Sequence, residues 1–171
     1  GRMIDTPAGL MRLSAGSRLP SYGFGKFYIG DKQYKAPENE TITAGSVSMT
    51  DAISLFENTP YLWGGRSDGG IDCSGFTQVI FMLLNIKLPR DSGAQSLCGI
   101  EISHLEEAQA GDLVFFAEEE KPISHVGIYL GNQQLVHAGN RVRTDRLDAQ
   151  GIFNKEAGAY TLRHTLIRRV M

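Results

Sequence analysis

The sequence predicts an α+β domain that follows a short all-β segment. Its clearest helix is expected over residues 73–84, where Phe76, Val79, Ile80 and Leu83 recur at helical spacing and form one apolar face. Beyond this helix the pattern changes to the two-residue alternation of β-strands. Glycine accounts for 20 of the 171 residues, and this high share favours turns and close backbone approaches over a bundle of helices.

The first part of the chain, residues 1–48, is predicted to be a small β segment with its linker. Short apolar runs at 10–13 and 26–29 are separated by turn sequences rich in glycine, proline and serine. A polar stretch ends the segment, so the second part is assigned to residues 49–171. The elements expected there are, in order, a helix capped by Thr50 and ending near 56, a glycine-rich loop at 63–70, the helix at 73–84 capped by Asp72, a short helix at 92–97, strands at 112–117, 124–130 and 135–138, and a last strand at 160–170.

Charge and composition exclude several classes of protein. With 17 Lys and Arg against 19 Asp and Glu, the net charge of −2 gives no electrostatic reason to expect a nucleic-acid or anionic-membrane partner. No apolar run approaches the roughly 18 residues that a membrane span requires. Two cysteines can form neither a disulfide framework nor a four-thiolate zinc site. No signal peptide is recognised, although a mature secreted protein or a piece of a longer chain would look the same.

Cys73 is the first candidate for chemistry. A thiol in the first turn of a helix faces unpaired backbone N–H groups, whose partial positive charge is expected to lower its pKa. The alternative is a small buried apolar residue, but Cys73 precedes the apolar face and lies between Asp72 and Ser74. Gly75 follows, and a glycine inside a helix costs about 1 kcal/mol relative to alanine, so another chain segment is expected to approach it closely.

Two histidines supply the base and its orienting partner that a thiol nucleophile requires. Alternation in the strand at 124–130 places His125 and Gly127 on one face. A three-residue loop at 131–133 would put His137 opposite Gly127 and on the face of His125, whereas a loop of even length would put the histidines on opposite faces. The alternatives are two structural strand histidines or a zinc site, although one cysteine and two histidines lack the paired spacing of structural zinc sites.

Six short motifs carry a resemblance to a known family. They are YLWGG at 61–65, DCSGF at 72–76, PRDS at 89–92, GDLVFF at 111–116, SHVGIY at 124–129 and VHA at 136–138. Over about residues 50–140 they resemble, in order, the NlpC family of bacterial cell-wall cysteine peptidases. The preceding segment resembles part of a bacterial SH3-like barrel.

The resemblance implies a papain-like fold, in which the nucleophile helix packs on an antiparallel sheet that carries the histidines. It also implies hydrolysis of the amide between γ-D-glutamate and a diamino acid, meso-diaminopimelate or lysine, in peptidoglycan stem peptides. Cys73 would attack the carbonyl, His125 would accept and return the proton, and His137 would hold the His125 ring. The backbone N–H of Cys73 would contribute to the oxyanion site.

In the subgroup with SH3-like modules a free N-terminal L-Ala is bound, and matching positions imply that this pocket is lined by Tyr61, Asp72, Ser74 and Ser92. Asp72 could serve only as a helix cap, which contributes about 1 kcal/mol. The remaining expectations are that Arg90 and Asp91 pair on the surface, Gln95 shapes the cleft, Trp63 packs on the cleft wall, Cys98 is an ordinary thiol, and His104 and His164 lie on the surface.

The expected partner is therefore a peptidoglycan fragment, with no cofactor, no nucleic acid, no membrane span and a monomeric chain. An extracytoplasmic location is favoured, and recycling of wall peptides in the cytoplasm stays open. Two other functions also stay open. The same three residues could serve an N-acetylmuramoyl-L-alanine amidase or an acyl transferase, or the domain could be a non-catalytic wall-binding module. The short β segment suggests the C-terminal part of a longer protein.

Overall fold

The computed structural model of the chain describes residues 2–6, 9–36, 43–118 and 121–171, without the side chains of residues 2, 164 and 165. The strands are β1 Arg2–Thr6, β2 Gly9–Leu13, β3 Lys26–Ile29, β4 Lys32–Lys35, β5 Arg66–Ser67, β6 Gly70–Ile71, β7 Ile100–Ile102, β8 Leu113–Phe116, β9 His125–Gly131, β10 Gln134–Ala138, β11 Val142–Asp148, β12 Gly151–Asn154, β13 Ala159–Tyr160 and β14 His164–Arg169. The helices are α1 Met49–Ser54, α2 Cys73–Leu83 and α3 Ser92–Gln95, with a 3₁₀ turn at Leu105–Glu107. None of the helices in the described ranges is long and apolar enough to cross a membrane.

The N-terminal segment consists of two antiparallel hairpins, β1–β2 and β3–β4. Its own small core is formed by Ile4, Phe27 and Ala36. The segment reaches the rest of the chain through an ion pair between Arg12 and Asp68 at 2.8 Å. This architecture agrees with the expected all-β segment, whereas its assignment as an SH3-like module and the boundary at residue 48 stay predictions.

Helix α1 begins one residue earlier than Thr50, the predicted cap. Ser48 is the cap instead, because its backbone is extended and its hydroxyl accepts the N–H of Asp51 at 3.1 Å. Thr50 lies within the helix and its role as cap is a wrong prediction. Helix α2 begins where the sequence predicts, with Asp72 as its cap.

The main sheet has eight strands in the order β13-β12-β11-β10-β9-β8-β14-β7, and the neighbouring strands pair antiparallel. On one face, Val126 and Ile128 of β9 belong to the core that includes Phe76 and Ile80 of α2. On the other face, a second core contains Tyr129 of β9. A nucleophile helix on an antiparallel sheet confirms the predicted α+β, papain-like class. Strands β7, β11, β12 and β13 were absent from the sequence prediction.

The β9–β10 hairpin has the predicted register but not the predicted loop. Two residues, Asn132 and Gln133, form the turn, both with positive φ (50° and 59°). The expected loop of odd length is therefore wrong. A bulge restores the alternation, because Gly131 pairs with Gln134 while Tyr129 pairs with Leu135. The extra residue on β9 places His137 opposite Gly127, as predicted.

Candidate active site

The start of helix α2 positions Cys73. Asp72 has extended backbone, and its Oδ1 accepts the N–H of Gly75 at 2.7 Å. A side chain on Gly75 would place its Cβ 2.4 Å from the carbonyl oxygen of Gly65, so the expected close approach is real. The glycine-rich loop thus lies directly against the first turn, and Cys73 is the first residue of the helix.

The Cys73 thiol is 6% exposed and lies at the edge of strand β9. Burial raises the pKa of the thiol. The backbone N–H of Val126 hydrogen-bonds the thiol and lowers the pKa, whereas the charge of Asp72 raises it further. The nearby backbone N–H groups of Ser74 and Cys73 also lower the pKa, by smaller amounts. The expected net lowering of the thiol pKa is therefore wrong, because loss of water outweighs the helix N-terminus.

The two histidines, on β9 and β10, form a direct pair. His125 precedes Val126, and its Nε2 lies 2.8 Å from Nδ1 of His137, with the rings nearly perpendicular. Burial, followed by the nearby His137 and Arg143, lowers the pKa of His125 to about 3. The Cys73 thiol and the His125 imidazole are therefore both neutral at rest. Among the described residues, no group of three His, Cys, Asp or Glu side chains could hold a metal ion.

A buried carboxylate that the sequence reasoning missed completes this chain of contacts. Oδ2 of Asp145, on β11, lies 3.0 Å from Nε2 of His137 and 2.8 Å from Nε of Arg143. Asp145 and His137 are 6% and 4% exposed. The sequence holds one signal for Asp145, an acidic residue on the face of β11 that also carries the buried Leu147. Using that signal requires the strand and its register to be known.

Asp72 pairs with Arg90, which corrects the expected surface pair of Arg90 with Asp91. Two guanidinium nitrogens of Arg90 lie 2.9 and 2.6 Å from the two oxygens of Asp72, and one of them also donates to the hydroxyl of Ser74 at 3.0 Å. The N–H of Gly64 adds a further bond to Asp72 at 2.8 Å. A buried carboxylate needs a cation, so Arg90 turns inward.

The other predicted pocket residues are Tyr61, Ser74 and Ser92. Tyr61 is 36% exposed, and its pKa is raised by burial and then by the charges of Cys73 and Asp72, with Arg90 opposing. Ser74 follows the nucleophile and contacts Arg90. Ser92 is half-buried as the first residue of α3.

Gln95 lies fully buried beneath the pocket and joins α3 to α2. Its amide nitrogen donates to the carbonyls of Ser74 and Pro89, at 3.0 and 2.9 Å, and its oxygen accepts from Thr77. Trp63, expected to pack on the cleft wall, is instead 84% exposed. Cys98 is half-buried and His104 is exposed, as expected. The expectation for His164 falls on a side chain outside the described ones.

The lowered pKa of His125 predicts an acid-sensitive fold. An unfolded histidine takes up a proton near pH 6.5, whereas folded His125 does so only near about pH 3. The unfolded state therefore binds more protons between these values, and stability should fall as pH drops below about 6.5. Urea unfolding midpoints at pH 7 and 4.5 measure this decline, because both pH values lie above the usual pKa range of aspartate side chains. The His125→Gln variant should show a smaller decline, and equal declines would contradict the prediction.

Comparison with known proteins extends these observations. The profile of the NlpC/P60 family matches residues 58–160. A Bacillus cereus protein named gamma-D-glutamyl-L-lysine dipeptidyl-peptidase is 34% identical over 134 residues, which are 75% of this chain and 40% of that protein. The chain thus spans well under half the length of this relative. Its name agrees with the predicted hydrolase class and confirms the prediction of a cysteine-peptidase domain.

Solved structures agree in fold. The crystal structure of an NlpC/P60 family protein from Bacillus cereus has a TM-score of 0.71 and 27% identity, covering 98% of this chain and 59% of its own. RipD from Mycobacterium tuberculosis, described as a non-catalytic NlpC/p60 domain protein adapted to peptidoglycan binding, has a TM-score of 0.54 and 25% identity, covering 73% of this chain and 99% of its own. The same fold therefore occurs in a protein described as non-catalytic.

Proposed function

This chain belongs to the NlpC/P60 family, and from that membership we propose that it is an endopeptidase that hydrolyses the amide between γ-D-glutamate and a diamino acid in peptidoglycan stem peptides. The observations that carry the proposal are the buried Cys73 thiol at the start of α2, against the N–H of Val126, and the hydrogen-bonded pair that His137 forms with His125, the residue before Val126. A thiol, a base and an orienting group are the parts that nucleophilic acyl transfer requires.

The first half of the proposed reaction forms a thioester. The sulfur of Cys73 attacks the carbonyl carbon while His125 accepts the thiol proton, since the resting thiol and imidazole are both neutral. The negative charge on the carbonyl oxygen is stabilised by backbone N–H groups at the helix start, those of Cys73 and Ser74. The C–N bond then breaks as His125 returns the proton to the departing amine of the diamino acid.

The second half releases the acyl product. Water attacks the thioester carbon and gives a proton to His125, and the C–S bond then breaks as the thiol recovers that proton. His137 keeps the His125 ring in place through both halves. The net reaction consumes one water molecule and restores the neutral thiol and imidazole.

We propose that Tyr61, Asp72, Ser74 and Ser92 bind the free amino terminus of the substrate's L-Ala. Support comes from the Asp72 carboxylate, an apt partner for an ammonium group. In the structure that carboxylate already accepts bonds from Arg90 and from backbone N–H groups. A substrate ammonium therefore competes with Arg90 for Asp72, and recognition is expected to shift the guanidinium.

The biological setting proposed is turnover or recycling of wall peptides, with an extracytoplasmic location favoured by the cell-wall substrate. A free amino terminus would restrict the enzyme to released peptides rather than intact wall.

Parallel digestion of purified L-Ala-γ-D-Glu-L-Lys, its meso-diaminopimelate counterpart and intact sacculi tests the proposal, with products identified by mass spectrometry. Release of the L-Ala-γ-D-Glu dipeptide from the tripeptides is the expected result, and the N-acetylated tripeptide should react more slowly. Release of whole stem peptides from muropeptides would instead identify an amidase. Transfer of the acyl group to an added amine, without net hydrolysis, would identify a transferase. Binding to sacculi without any product would identify a wall-binding module.

A further inference from the structure

The carboxylate of Asp145 touches neither the thiol nor the proposed pocket, yet it lies buried at the end of a continuous line of contacts. From Asp145 the line runs through His137 to His125, with separations of 3.0 and 2.8 Å. The question it raises is where the protons lie along this line, because that decides whether His125 can accept a proton from Cys73. The inference drawn from it rests on the proposed function of Cys73 and His125.

The charge of Asp145 decides which group donates in its contact with His137. Burial raises its pKa, but the hydrogen bonds from His137 and Arg143 outweigh that effect and lower it overall. An ionised carboxylate can only accept hydrogen bonds. The contact with His137 therefore requires a proton on Nε2 of that ring.

The proton on Nε2 of His137 determines which nitrogen of His125 carries a proton. A neutral His137 that carries its proton on Nε2 has a lone pair on Nδ1. In the 2.8 Å contact, Nδ1 of His137 must therefore accept, and Nε2 of His125 must donate. A neutral His125 with its proton on Nε2 has its lone pair on Nδ1, where it can accept a proton.

Arg143 shares the carboxylate of Asp145 with His137. Its Nε donates to Oδ2 of Asp145 at 2.8 Å, and its guanidinium also bonds to Asn140.

We propose that Asp145 is a positioning residue that fixes the proton of His137 on Nε2, and thereby the lone pair of His125 on Nδ1. The groups that face His137 are His125 from β9 and Asp145 and Arg143 from β11. Asp145 additionally faces Arg141, whose own partner is Glu156.

Nitrogen-15 NMR of the histidine rings in the wild-type protein tests the tautomers without any substrate. At neutral pH, His125 and His137 should both show a protonated Nε2 and an unprotonated Nδ1. A protonated Nδ1 on His125, or a doubly protonated His137, would overturn the proposal. Since this measurement needs no turnover, it separates failure of the positioning role from failure of the proposed peptidase activity.

Substitution of Asp145 supplies the kinetic test. Asp145→Leu removes the acceptor, so kcat should fall by about 10²-fold, the low end of the range for general acid–base catalysis, with KM little changed. Asp145→Asn retains an acceptor oxygen and should recover most of the lost kcat. The control is Asp148→Leu, which removes a carboxylate on the same strand that bonds Tyr160 and Arg146. A folded Asp145→Leu enzyme with the kcat of the Asp148→Leu control would overturn the proposal.

Discussion

Replacing Cys73 by alanine should reduce cleavage of L-Ala-γ-D-Glu-L-Lys by about 10⁴-fold or more, because no other nucleophile remains to form the thioester. The thiol lies at the centre of the site, at the helix N-terminus and against the N–H of Val126. Release of the dipeptide, followed by mass spectrometry, measures the loss. The binding of tripeptide should persist, since the proposed pocket residues are intact.

The matched control for this prediction is Cys98→Ala. Cys98 is the other cysteine of the chain, half-buried, with its sulfur 3.7 Å from the carbonyl oxygen of Ala94. Its removal should leave activity within about two-fold of the wild type, as expected for a change away from the site. Each variant removes one small thiol, so unfolding midpoints should differ little between the two. Retained cleavage in a folded Cys73→Ala variant would contradict the assignment of the nucleophile.

Replacing Arg90 by methionine should lower the free energy of unfolding by about 2 kcal/mol. Breaking a buried ion pair costs roughly 3–5 kcal/mol, because the remaining charge is left without a partner. Arg90 is 30% exposed and Asp72 only 9% in their side chains, so solvent reduces the cost to the lower value. Urea unfolding measures the change.

Two comparisons show whether an uncompensated Asp72 is the cause. Arg12→Met breaks the pair with Asp68, whose carboxylate is as buried as Asp72 (9%) but whose cation is 55% exposed against 30% for Arg90, and it should cost less than Arg90→Met. In an Asp72→Asn background, Arg90→Met should cost clearly less than in the wild type, because no charge is then left behind. An equal cost in both backgrounds would show that Arg90 acts through packing alone.

Local sequence was sufficient for the framework of the site. The spacing of Phe76, Val79, Ile80 and Leu83 and the cap at Asp72 predicted α2 correctly, because these interactions join residues three or four positions apart. Alternation likewise predicted that His125 and His137 share a face. The turn between them was the exception, since a bulge supplied the residue that the loop was expected to supply.

Tertiary structure decided what surrounds that framework. Arg90 pairs with Asp72, 18 positions away in the sequence, and not with its neighbour Asp91. The reason is that the Asp72 carboxylate is buried and needs a cation. Asp145 meets His137 only through the register of β11, a strand whose mixed polar sequence hides it.

The sequence by itself therefore determined the family, the helix that presents Cys73 and the common face of the two histidines. The fold determined the protonation of the site, because the pKa of a group depends on all the atoms that replace water around it. Burial leaves the thiol and the imidazole neutral at rest, against the expectation from the helix N-terminus alone. Short-range periodicity depends on residues that are close in the sequence, whereas desolvation and long-range pairing arise only once the chain has packed.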